Sequence, residues 1–278
     1  MHVKKIFKRH PMWAYLFIAY AFSWTFYGIL LLTTPPGVMQ QGITTRFIVL
    51  AMLGGFGPSV AGVLTIAVTE GKPGLHDLFN RIRNLRVGTG WFLVALLFTP
   101  IVAFAVLAVE RILGMPTAGI NAMMATLPLS IIWPLFAALG EEFGWRGFYL
   151  PSLQKRYSAL TSSMIVGVAW GLWHVPTIFL AYRQFGVWVV LSYVLVVHIV
   201  AITAQSLAMT WVHNNTRQSL LMMIVFHYSL TGGAMFVFPL ELSVVEGLQH
   251  QFVYAVSYWL AAGLLIVKFG PNLSSKKE

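Results

Sequence analysis

Runs of about twenty apolar, nearly charge-free residues follow one another along this chain of 278 residues. Each run is long enough to cross the hydrocarbon core of a bilayer as a helix. Inside that core every backbone polar group must be satisfied within the protein, so a chain of such runs folds as a helical bundle. The expected spans are Pro11–Leu32, Phe47–Thr69, Trp91–Leu113, Leu127–Leu150, Thr161–Tyr182, Val187–Met209, Ser219–Pro239 and Phe252–Phe269. The fold expected is all-α: a polytopic membrane protein with a bundle of about eight transmembrane helices, residues 1–278 forming one transmembrane domain. Hydrophobic residues at 58%, charged residues at 9% and a mean hydropathy of +0.76 exclude a soluble domain of this length.

Local signals punctuate the runs. The prolines of TTPPG, Thr33–Gly37, cannot continue a helical ladder and end the first span. In the second span GGFGPS, Gly54–Ser59, offers small residues for close helix contact and a proline expected to kink it. The apolar run behind the basic N-terminus MHVKKIFKRH is too long for a signal peptide and lacks a small-residue cleavage site, so a retained first span is expected. No internal repeat stands out.

The basic residues set the orientation. With the N- and C-termini cytoplasmic and the spans alternating, all of the 18 Lys and Arg except Arg46, Arg111 and Arg183 fall on the cytoplasmic side. The net charge of +10 is thus a topology signal, and nucleic-acid binding is not expected because no soluble basic face exists to carry it. Leu75, Leu78, Phe79, Ile82 and Leu85 recur at helical spacing among arginines, which predicts an amphipathic helix on the cytoplasmic leaflet. Without cysteine there is no disulfide, thiolate nucleophile or thiolate metal site.

Against this background Glu141 and Glu142 stand out, because the whole chain has only eight acidic residues. An ionisable group at membrane depth costs about 2.5–3.5 kcal/mol even on lenient scales and marks a function or a pairing. Arg146 lies four residues after Glu142, so these two pair on a helix. Glu141 is rotated by about 100° and gains no such partner from its own segment. Three other polar positions, His174, His227 and Thr231, lie at depths of about 12–20 Å from the cytoplasmic ends of their spans, in one slab with Glu141. His198 and Gln205 occupy the sixth span; depth does not exclude His198, but no second polar group stands a turn away from it. A buried carboxylate with two histidines has two chemical uses. It activates a water as general base with the histidines orienting water, leaving group or oxyanion, or it ligates zinc through Glu141, His174 and His227 with a position left for water. The residue types leave both open.

The motifs resemble those of a known family. Glu141-Glu142-Phe-Gly-Trp-Arg146 is similar to the EExxxR motif of the CAAX protease and bacteriocin-processing (CPBP, or Abi) family, which includes the type II CaaX prenyl endopeptidases. Trp170-Gly-Leu-Trp-His174 resembles its FxxxH motif with Trp at the Phe position, and His227-Tyr-Ser-Leu-Thr231 resembles HxxxN with Thr for the usual Asn or Asp. The resembling core covers residues 127–231.

The resemblance implies an eight-helix intramembrane bundle around a conical cavity. It also implies Glu141 as the water-activating base, His174 as its partner, and His227 orienting water or binding the oxyanion. Thr231 would offer a hydroxyl to the oxyanion, while Glu142 and Arg146 would support the site. No cofactor is required on this reading; a metalloprotease-like zinc site is the alternative. The expected function is an intramembrane endopeptidase acting near the cytoplasmic face on membrane-associated peptides or lipidated proteins, including prenylated CaaX tails, in a bacterial or archaeal plasma membrane. Membrane lipid and the substrate are the expected partners. A non-proteolytic scaffold or bacteriocin-immunity protein is the competing reading, and the Thr231 departure favours it. A proton-coupled transporter is a third, opposed by the lack of repeat symmetry.

Overall fold

In a computed structural model, which describes residues 7–37, 44–117, 120–237 and 242–275, every regular element is a helix. The basic residues Lys4, Lys5, Lys276 and Lys277 lie outside the described residues. Helix α1, Pro11–Thr33, starts with proline in its first turn and ends before Pro35, as the residue before a proline leaves the helical region. Its orphan carbonyls are satisfied by Arg183, which donates to Leu31 O at 2.8 Å and to Thr34 O. One of the three arginines outside the cytoplasmic set thus caps a helix.

The second expected span is two helices, α2 (Thr45–Gly55) and α3 (Gly57–Thr69), with Pro58 opening the second. The small residues permit the packing. A methyl group built on Gly140 would lie 2.6 Å from Gly55 O, and one on Gly62 would lie 2.7 Å from Phe143 O. Ser59 Oγ donates to Leu139 O at 2.8 Å across the same contact. Helix α4, Gly71–Ile82, covers most of the predicted amphipathic stretch. Only part of its apolar stripe is free to face lipid: Leu78 is fully buried against the bundle, whereas Phe79 and Leu85 are exposed. Helix α5, Thr89–Ile112, follows with Pro100 inside it.

Helix α6, Ile120–Gly144, runs into a wider π turn at Trp145–Tyr149 and then the short α7, Leu150–Gln154. The fifth expected span is not one helix. Helix α8, Ala159–Trp173, breaks at His174 and continues as α9, Val175–Tyr182, with a bend of 40°. Pro176, in the first turn of α9, has no amide to continue the ladder. Thr177 N turns to His174 O at the break, and the carbonyl of Trp173 accepts from Trp24 Nε1 of α1 at 3.1 Å. The sixth span is built from α10 (Val187–Tyr193), a π-helical stretch (Val194–Ala201) and α11 (Ile202–Asn215). Ser163 of α8 bonds Thr210 of α11 at 2.8 Å, and Gly171 allows the backbone at His198 to lie against α8. Helix α12, Leu220–Val237, and helix α13, Val244–Phe269, complete the bundle. The last begins earlier than the expected Phe252, at a capping box of Ser243 and Glu246.

The outer face is largely apolar, and polar side chains are buried within an apolar core. Thr65, Thr99, Ser162 and Ser206 are fully buried, while Trp13, Phe17, Leu264 and Val267 face outward. Among the described residues five helical segments are long and apolar enough to cross a membrane, or six with the bent pair as one span; Leu220–Met235 is apolar but shorter. The protein is therefore an integral, multi-pass membrane protein. Both chain termini, for which the cytoplasmic side is expected, lie outside the described residues.

Candidate functional site

Arg146, in the π turn that follows Gly144, pairs with Glu142 four residues before it: its Nη1 lies 2.9 Å from Glu142 Oε1, and both side chains are fully buried. The same oxygen accepts from His227 Nδ1 at 2.7 Å. Glu142 therefore binds two residues, and its role in the site extends beyond the pairing expected with Arg146. Two donors on one carboxylate oxygen offset the cost of burying that charge.

Glu141, only 4% exposed, points elsewhere. Its Oε2 accepts from Trp170 Nε1 of α8 at 2.5 Å, and its Oε1 stands 3.9 Å from His227 Nε2. The absence of a partner on its own segment is made good by a residue 29 positions away. His227, on α12, thus lies between the two glutamates with its Nδ1–H on Glu142 and its Nε2 toward Glu141.

His174 sits at the break between α8 and α9. Its Nδ1 donates to Trp170 O at 2.9 Å, which leaves Nε2 as the acceptor of the neutral ring. Trp173 packs edge-on against it at 4.7 Å between centroids. Thr231, one turn after His227, is half-buried. All four expected residues, Glu141, His174, His227 and Thr231, line one cavity of about 400 Å³. Glu142 and Arg146 lie behind it rather than in its wall, as supports.

Trp170, His198 and Tyr27 are among the wall residues that carried no role in the sequence reading. Trp170 holds Glu141; an indole N–H at membrane depth needs an acceptor, and that was the available signal. His198, ranked low, stands 5.0 Å from His174 between ring centroids, brought there by the π-helical stretch. Tyr27, from α1, packs edge-on against Trp173 at 6.0 Å and has no motif around it.

Zinc is the group that the residue types allow. Among the described residues no group of three or more His, Cys, Asp or Glu is arranged to hold a metal ion. His227 has its Nδ1 on Glu142 with Nε2 left open, and Glu141 has one oxygen on Trp170 with the other left open. Among the described residues Glu141, His174 and His227 share a cavity without being arranged as a metal ligand set.

The structure is thus a helical membrane bundle enclosing a glutamate–histidine centre. Residues 122–232 match the family model described as Rce1-like, type II CAAX prenyl endopeptidase Rce1-like. The chain is also 28% identical over 227 residues to CAAX prenyl protease 2 of Methanococcus maripaludis, covering 75% of this chain and 73% of that protein. Both findings agree with the resemblance carried by the three motifs: the chain is similar to Rce1-like type II CAAX prenyl endopeptidases over the motif-bearing core. The matched region contains Glu141, Glu142, Arg146, Trp170, His174, His227 and Thr231.

Proposed function

We propose that the protein is an intramembrane endopeptidase that hydrolyses membrane-associated, lipid-modified peptides near the cytoplasmic face, with a water activated by Glu141. The carrying observation is the 3.9 Å gap between Glu141 Oε1 and His227 Nε2. That separation is too long for a hydrogen bond and is spanned by one water bonded to both. Both groups are acceptors when His227 is neutral with its Nδ1–H on Glu142, so the water donates a hydrogen to each and turns a lone pair outward.

Hydrolysis then proceeds with few parts. Glu141 takes a proton from the water as the oxygen attacks the scissile carbonyl carbon. The carbonyl oxygen becomes an oxyanion, toward which Thr231 offers its hydroxyl. The intermediate collapses by breaking the C–N bond, and the proton held on Glu141 passes to the leaving amine. His174 Nε2, an acceptor in the same wall, orients the water or the incoming amide. The cavity sits in a bundle whose outer face is apolar, which supports a substrate that arrives from the bilayer. The curated relative is named for CAAX prenyl substrates, and that name supports a prenylated tail as the lipid-modified peptide here.

Membranes containing the protein should cleave a farnesylated peptide ending in a CaaX sequence, and should cleave the same peptide without the lipid at least about tenfold more slowly at equal concentration, the lipid contributing roughly 1.4 kcal/mol or more. Equal cleavage of the two peptides would remove the lipid from the proposal.

A further inference from the structure

We infer that Trp170 is a positioning residue for Glu141, its indole N–H fixing one carboxylate oxygen so that the other is presented to His227. The inference rests on the proposed function for its catalytic consequence and on geometry for its substance. Trp170 Nε1 meets Glu141 Oε2 at 2.5 Å, and an indole nitrogen donates only. The ring is 2% exposed and cannot swing away. Its face is covered by the Arg146 guanidinium, whose Cζ lies 4.4 Å from the ring centroid, and the His227 ring lies 5.3 Å from it. Arg146 is in turn held by Glu142, which also holds His227.

One oxygen of Glu142 therefore orders both the histidine that faces the base and the cation that braces the tryptophan holding the base. A glutamate side chain has three rotatable bonds, and without a second anchor its carboxylate would sample orientations in which neither oxygen faces His227. The motif that Trp170 opens resembles one with Phe at this position, and Phe has no donor. This chain thus carries a contact that a phenylalanine would not supply.

Two changes isolate the donor. Trp170→Phe keeps an aromatic ring; replacing Trp170 with benzothienylalanine keeps the bicyclic shape and puts sulfur where the N–H stood. In the purified full chain acting on a farnesylated CaaX peptide, both should lower kcat about 10- to 100-fold with KM unchanged, as expected for losing a hydrogen bond to a charged group. Unchanged kcat in the benzothienylalanine protein would overturn the inference. A loss in Trp170→Phe alone would also overturn it, since shape and not the donor would then matter.

A second measurement does not depend on turnover. In the ¹H–¹⁵N spectrum of the tryptophan indoles, the peak missing from Trp170→Phe should lie downfield in the wild type and move upfield in Glu141→Ala. A Trp170 indole proton indifferent to Glu141→Ala contradicts the contact itself. Wild-type protein that leaves the peptide uncut speaks against the proposed function, and the indole shift still decides whether Trp170 holds Glu141.

Discussion

Two neighbouring glutamates are sorted by what touches them. Glu142 accepts from both Arg146 and His227 on a single oxygen, whereas Glu141 takes one indole donor and keeps an oxygen toward the cavity. Glu142→Gln and Arg146→Gln should therefore act first on folding, because each strands a buried charge at a cost of about 3–5 kcal/mol. Their yields of folded protein, measured by monodispersity in detergent, should fall well below wild type. Glu142→Gln should also lower the activity of whatever folds, since His227 loses its orienting carboxylate. A Glu142→Gln protein that folds and cleaves like wild type would contradict this sorting. Thr231→Val, nearly isosteric, should lower kcat by about 10²–10³ at most, the range for removing one oxyanion donor. Thr231→Asn should be tolerated, because the amide offers a donor from the same helix turn; the check is kcat at equal folded protein.

At the scale of elements, the site depends on interruptions of helices as much as on helices. Glu141 and Glu142 end α6 just before a π turn, His174 occupies the break between α8 and α9, and His198 lies in a π-helical stretch. Such interruptions in apolar helices concentrate at functional sites. They were only partly readable in the sequence. Pro176 marks a weak point in its run, whereas Trp145–Tyr149 and Val194–Ala201 contain no proline to signal their π register. The Glu142–Arg146 pair was readable because four-residue spacing is local; the Trp170–Glu141 and His227–Glu142 contacts were not, because they join different helices. Depth counting brought Glu141, His174, His227 and Thr231 to one slab, and the structure brings them to one cavity. It gave no means of telling which glutamate each histidine faces. Close packing at the glycines is the element-level prediction. Gly62→Val should cost several kcal/mol through overpacking against the backbone of Phe143 and Gly144, seen as a lowered Tm in detergent, while Gly263→Ala, with open space around it, should be near neutral.

Among the described residues, large apolar side chains face outward and polar ones are buried within an apolar core, as suits a protein whose solvent is lipid. Some of the basic residues that give the chain its charge make local contacts. Arg81 of α4 donates to Gly147 O at 2.6 Å, tying the amphipathic helix to the π turn that carries Arg146. Since Glu141, His174 and His227 do not form a metal ligand set, chelation of the purified protein should leave cleavage intact, and metal analysis should find far less than one equivalent of zinc. Activity lost on chelation and restored by zinc would contradict the water-only chemistry.

The central claim is that Glu141 is the base. Its most direct test is the rate at which Glu141→Gln cleaves a farnesylated CaaX peptide, measured on protein shown to be folded and in amounts equal to wild type. Glutamine keeps the shape and can still accept from Trp170, so folding should be retained while kcat falls by about 10²–10⁴-fold, the range supplied by a general base. A folded Glu141→Gln protein that cleaves within a few-fold of wild type would contradict the account.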